Sequence, residues 1–191
     1  MRFQPLTEEL SYTGRFGKGV QMSQSNSILD NVQWGADSGA ITFKDVRYML
    51  IRPDTVVDFQ KAVEADVGLE KCAQMMMAGG YTGGSRSSKR YKEVFNYTDE
   101  EIVAFMCKMG GEIGWGKFNV IKLDVPGKEF IVEVENSAFA AAYGEADRGV
   151  CHMIRGVMAG MAVGIFGSDV VSEETLCHSK GDDRCRFEIR G

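Results

Sequence analysis

Apolar residues recur at helical spacing along several stretches of the chain and alternate along others. From Asp54 to Val67, the residues Val56, Phe59, Val63 and Val67 share one side, with Lys61 and Glu64 opposite, and Pro53 sits where a first helical turn accepts proline. Leu69, Cys72, Ala73 and Met76 continue the period until Gly79-Gly80, which predicts a stop. Thr98 to Glu101 reads as a capping box, followed by a buried stripe of Ile102, Phe105, Met106 and Met109 and an end at Gly110-Gly111. Val150 to Phe166 predicts a buried helix with Gly156, Gly160 and Gly164 on one face and Ile154, Met158, Met161 and Ile165 on another.

Strands are predicted over Ala40 to Phe43, Val46 to Ile51, Phe118 to Val125 and Glu129 to Glu135. The last two are joined by Pro126-Gly127, which suits a type II turn. Phe130, Val132 and Val134 face one way and Glu129, Ile131, Glu133 and Glu135 the other, so one face of this hairpin is expected to be wet. Ser137 to Gly144 is too rich in alanine for a strand and predicts a short helix. After Gly167, Cys185, Phe187 and Ile189 alternate with Arg184, Arg186, Glu188 and Arg190 as a returning strand. The order predicts an α+β domain: an antiparallel sheet with helices packed on one face and a hairpin near the carboxyl end.

The first forty residues differ. They are rich in Gly, Ser, Asn and Gln, with Phe3, Leu6, Leu10, Phe16, Val20 and Trp34 as isolated apolar anchors. We expect residues 1–39 to form an arm that packs on a second copy, and residues 40–191 to form one ligand-binding domain. Gly80 to Ser85, beside Arg86, Lys89, Arg90 and Lys92, lacks the Gly-Lys-Ser/Thr ending of a phosphate-binding loop and is read as a flexible connection.

Composition narrows the function. A net charge of -5 and a pI near 5.2 argue against a nucleic-acid surface. Met1-Arg2-Phe3-Gln4-Pro5 begins no secretory signal, and no apolar run reaches the roughly 20 residues a membrane span needs, so a cytoplasmic location is expected. No nucleotide-binding fingerprint or nucleophile–base pair stands out, which makes catalysis the weaker expectation.

The densest chemistry lies between Cys151 and Cys185, where three of the five cysteines and both histidines fall. Three thiolates and a carboxylate make a four-coordinate shell suited to zinc, which selects Cys151, Glu174, Cys177 and Cys185 as ligands and leaves His152 and His178 as second choices. Buried thiols, or a disulfide across the hairpin, are the alternatives that residue types leave open. Cys72 and Cys107 read as buried thiols.

Cys-His-x-x-Arg-Gly from Cys151, Glu-x-x-Cys from Glu174, then Cys185 and Arg-Phe-Glu-Ile resemble the 4-vinyl-reductase domain family. That family is related to the amino-terminal aromatic-sensing domains of bacterial activators that respond to phenols and toluenes. The resemblance implies that the four matching residues bind zinc. Such a filled shell has no open position, so the ion would be structural. It also implies a small apolar or aromatic ligand between helices and sheet, for which Phe105, Met109, Val132, Phe139, Tyr143, Met158 and Met161 are the candidate pocket.

The resemblance further implies a homodimer formed through the amino-terminal segment, and a Gly-Tyr-x-x-Gly turn at Gly80. Phenol-type sensors use histidine and tryptophan in the pocket, whereas here both histidines lie in the metal region and Trp34 and Trp115 fall elsewhere, which argues against phenol itself. The ATPase and DNA-binding domains of those activators are absent from these 191 residues, so a separate effector protein is expected. The family name adds a second reading, a 4-vinyl reductase or accessory protein of tetrapyrrole (chlorophyll-type) biosynthesis. A third is a structural interaction module, as in related vesicle-tethering subunits.

Overall fold

A computed structural model describes residues 25–191 of the chain. The anchors Phe3, Leu6, Leu10, Phe16 and Val20, and most of the expected arm, lie outside the described residues. Three short strands come first, β1 (Gln33–Gly35), β2 (Ala40–Phe43) and β3 (Val46–Tyr48), paired antiparallel in sequence order. Pairing of Gly35 with Ala40 carries this sheet across the position at which the sequence divided arm from domain. The segment just before it is fastened to the main body, because Ser27 donates through its backbone N–H and its hydroxyl to Glu112, at 3.0 and 2.6 Å.

The helix α1 (Pro53–Val67) ends at Gly68, and α2 (Leu69–Phe95) then runs for 27 residues. The expected stop at Gly79-Gly80 and the expected turn through Gly80–Ser85 are therefore both replaced by helix. The reason lies in another helix, α5 (His152–Phe166), which crosses α2 backbone to backbone. A Cβ on Gly80 would lie 2.3 Å from the Met153 carbonyl oxygen, and one on Gly84 2.1 Å from that of Val157. Gly156 and Gly160 answer from the other side, where a Cβ would meet the Met77 and Tyr81 carbonyl oxygens, each at 2.1 Å. Each glycine costs a helix about 1 kcal/mol relative to alanine, and the close approach offsets it. Arg86, Lys89 and Lys92 lie on the same continuous helix, with Lys89 and Lys92 paired to Glu93 and Asp99.

A left-handed Asn96 (φ 54°) ends α2, and α3 (Asp99–Glu112) starts on the expected box, with Thr98 Oγ1 accepting from Glu101 N–H and the Glu101 carboxylate accepting from Thr98 N–H. The strands β4 (Lys117–Asp124) and β5 (Glu129–Glu135) follow, then α4 (Ala138–Tyr143), α5, β6 (Val171–Leu176) and β7 (Cys185–Arg190). The four strands form an antiparallel sheet in the order β4-β5-β7-β6. α3 and α5 lie against it, and α2 crosses the far side of α5, so the helices form two tiers rather than one. This is an α+β fold with antiparallel sheets. Among the described residues no helix is long and apolar enough to cross a membrane.

Two local expectations change. The left-handed residue after Pro126 is Lys128 (φ 52°), whereas a type II turn would place it at Gly127. Gly127 is needed for a different reason: its N–H bonds Asp124 Oδ1 at 2.9 Å, and a Cβ would lie 2.3 Å from Asp124 Oδ2. The outer face of β5 is charged but not wet throughout, since Ile131 and Glu133 are each only 8% exposed. Arg184 and Arg186 pair with Glu133 at 3.0 and 2.9 Å, and their aliphatic stems can cover the central strand.

Candidate metal centre and its surroundings

Positions three apart in a regular strand face opposite ways, so Glu174 and Cys177 reach the same side only because β6 is irregular. Its register against β7 slips by one residue between Glu174 and Leu176, which turns the following residues over. Cys185, the first residue of β7, points inward with Phe187 and Ile189, all fully buried. Cys151 holds the position just before α5, and Gly149 leaves room for this approach, since a Cβ there would lie 2.6 Å from Glu174 Oε2.

The four candidate ligands are thus drawn together from the start of α5, β6, the turn after it and β7, with one donor atom from each within 4.8 Å of the others. Cys151 and Cys185 sulfurs are 3.7 Å apart, and Cys185 and Cys177 sulfurs 4.0 Å. A tetrahedral shell with Zn–S bonds of about 2.3 Å requires sulfur separations of about 3.8 Å. A disulfide requires about 2.05 Å, and all five cysteines are free. The backbone supports the arrangement: Cys151 N–H donates to Glu174 Oε2 at 3.0 Å, His178 N–H to Cys185 Sγ at 3.4 Å, and Cys177 N–H to Asp182 Oδ2 at 2.8 Å.

Electrostatics single out this space as one that wants a cation. Hydrogen bonds from Cys151 and Cys185 hold Cys177 as the thiolate, far below the usual thiol range. Its neighbours then keep their protons. The bond to Cys177 raises Cys151 well above that range. Burial, and then the Cys177 charge, lift Glu174 to about 9. Cys185 is pulled down by Cys151 but pushed more strongly up, by the bond to Cys177 and by burial, to about 12. A divalent ion reverses this logic, because it favours deprotonation of every group that binds it. The group of donor atoms contains neither histidine. His178 is exposed, with Nδ1 3.1 Å from the Asp182 carbonyl oxygen. His152 is buried beside the cluster, and burial followed by the Arg155 charge lowers it to about 4.

The seven candidate pocket residues do not form one group. Val132, Phe139, Met158 and Met161 are buried in the main core, with Phe105 packed against it. Met109 lies between two phenols, its sulfur accepting from the Tyr48 and Tyr91 hydroxyls at 3.9 and 3.6 Å. Tyr143 instead joins a polar network: its hydroxyl donates to Glu64 at 2.6 Å and accepts from Arg148 at 2.7 Å.

The sequence pattern did not reveal an aromatic group of Tyr91, Phe95, Tyr97 and Phe105, with ring centroids 4.9 to 6.2 Å apart. Lys44 Nζ stands over it, 4.4 Å from the Phe95 centroid and 4.9 Å from that of Phe105. The spacing of Tyr91 and Phe95 at i, i+4 is a usable signal, hidden because the basic residues around them read as a solvated face.

Residues 130–191 match the model of the 4-vinyl-reductase domain, the family signalled by the motif around Cys151, Glu174, Cys177 and Cys185. The phenol regulator MopR of Acinetobacter guillouiae is 25% identical over 177 residues, covering 87% of this chain and 31% of that protein. The transcriptional regulatory protein XylR of Pseudomonas putida is 23% identical over 181 residues, covering 87% of this chain and 31% of its own length. The chain thus spans about a third of the length of these curated relatives. The fold agrees with the phenol-responsive sensory domain of the transcription activator PoxR, solved with phenol, at a TM-score of 0.74 and 17% identity, covering 86% of both chains.

Proposed function

We propose that the chain is a sensor or carrier domain that holds a small apolar or aromatic molecule between helices and sheet, stiffened by one structural zinc ion. The observation that carries the reading is the fold agreement over 86% of the chain with a phenol-responsive sensory domain. The aromatic group under Lys44 supports it, because ring edges and faces suit an aromatic guest and the methionines nearby adapt to its outline. Zinc would be held by Cys151, Glu174, Cys177 and Cys185, where the ion supplies a closed four-coordinate shell that pins α5 to the terminal hairpin. The sulfur separations of 3.7 and 4.0 Å fit it.

The same reading makes residues 1–39 a dimerising arm and passes any signal to a separate effector protein in the cytoplasm. Exposure of Trp34 (70%), Met49 (74%) and Leu50 (82%) on and beside the small sheet favours self-association at that end. Light scattering of a chain lacking residues 1 to 35 checks this; an unchanged dimer rejects the arm.

Calorimetric titration of the zinc-loaded protein with phenol, toluene and indole tests the central claim. Trp115 offers a parallel fluorescence signal, since its ring stands edge-on to Phe139 at 5.2 Å. Saturable binding of one of these probes is expected; no binding, together with no bound molecule in native mass spectra of protein from its own host, rejects the reading. The match of residues 130–191 to the 4-vinyl-reductase domain favours a second reading, action on a tetrapyrrole vinyl group. Absorbance of a vinyl porphyrin mixed with the protein and NADPH separates them: turnover favours the enzyme, a bound but unchanged pigment the carrier.

A further inference from the structure

We propose that a cleft between the start of α2 and the start of α5 is a second binding site, which takes a small organic acid and holds its carboxylate with Arg148, His152 and Arg155. The cleft has a volume of about 360 Å³, with Leu69 and Ala73 on the α2 side and Arg148, His152, Arg155 and Glu174 on the α5 side. Among the described residues seven buried side-chain nitrogen or oxygen atoms lack a hydrogen-bond partner, and four of them belong to residues of this one cleft: Arg148 Nε, His152 Nδ1, Arg155 Nε and Glu174 Oε1. Buried polar atoms are rarely left without partners, because each costs about 1–3 kcal/mol when unsatisfied.

Glu174 already has a place in the candidate metal centre. The three nitrogens do not, and all three can donate. His152 is 6% exposed, yet its Nδ1 has no partner. Arg148 directs its outer nitrogens to Glu64, Tyr143 and Asp147, which leaves Nε. Arg155 forms no ion pair among the described residues, so its charge faces the cleft uncompensated by a partner. The amino end of α5, a helix of 15 residues, adds the positive end of its dipole. Against these stand Glu70, exposed at the rim, and Glu174, whose charge is cancelled by its proton or by the metal. An oxyanion satisfies the donors, and Leu69 and Ala73 offer its hydrocarbon part an apolar wall. The motif beginning at Cys151 is then fully used: Cys151 serves the metal centre, Gly156 the helix crossing, and His152 and Arg155 the acid.

Hexanoate is a suitable probe, followed on the full-length, zinc-loaded chain by nitrogen-edited NMR of the imidazoles. The chain has two histidines, so exposed His178 serves as the internal reference. Hexanoate should shift His152 Nδ1 saturably and leave His178 in place. Arg155→Met should weaken binding about tenfold, through loss of a charge-assisted bond. Glu70→Lys, at the exposed rim, should tighten it about threefold through the added attraction and decides the matter if the arginine variant fails to fold. No saturable shift at His152, or one affinity shared by wild type and Glu70→Lys, overturns the proposal. Inorganic phosphate binding as tightly as hexanoate overturns the assignment to an organic acid.

Discussion

Helix α5 is fastened in two places by opposite means. Along its length Gly156 and Gly160 let the α2 carbonyl oxygens come to where a Cβ would stand, and nothing but the chain's own atoms is required. At its start Cys151 enters a space where four acidic groups meet and where Cys177 alone is driven to ionise. The first fastening is complete as the chain folds. The second acquires its full strength from something the chain must bind. A missing side chain marks packing; an excess of acidic ones marks a ligand.

The largest effect is expected at the second fastening. Cys177→Ser should take zinc from about one per chain to none by metal analysis and cost about 5 kcal/mol in denaturant unfolding, in the range that losing a structural metal produces. Equal melting of zinc-loaded and chelator-stripped wild type would break the comparison outright. Next comes the crossing: Gly160→Ala drives a Cβ to 2.1 Å from the Tyr81 carbonyl oxygen and should cost about 3 kcal/mol. Gly79→Ala on the exposed side of the same helix pair, with nothing within 4 Å, should instead gain about 0.5–1 kcal/mol. Equal effects at the two glycines would show that helix propensity, rather than close approach, governs this face.

A smaller effect is expected where α1 meets the loop before α5. Burial, and then the bond to Glu64, raise the Tyr143 hydroxyl from 10.0 to about 12. A raised folded-state value contributes stability that is fully present below pH 10 and is lost as pH rises through about 12. The stability difference between wild type and Tyr143→Phe should therefore shrink across that window in denaturant midpoints measured at successive pH values; a constant difference refutes the network. The smallest effect belongs to the outer face of the sheet. Lys117 and Glu135 are 69% and 46% exposed, and Lys117→Ala should change stability by about 0.5 kcal/mol or less.

Much of this could be read from residue order. The capping box at Thr98, the hairpin of β4 and β5, the glycine face of α5 and the set Cys151, Glu174, Cys177 and Cys185 were legible because each depends on spacing along one segment or on residue type. Gly79 to Ser85 was misread for a definite reason: a glycine that stops a helix and one that admits another helix look alike until the second helix is placed. The aromatic group around Lys44 joins the end of β2 to α2 and α3 and was invisible for the same reason.

The sequence by itself determined where the period is helical and where it alternates, and which four side chains have the chemistry to hold a cation. The tertiary structure alone decided that α2 runs unbroken through its glycines, that a slipped register turns Cys177 to the side of Glu174, and that Arg148, His152 and Arg155 line one cleft. Local rules act between residues a few positions apart, whereas close approach, register and shared burial depend on atoms brought in from elsewhere in the chain.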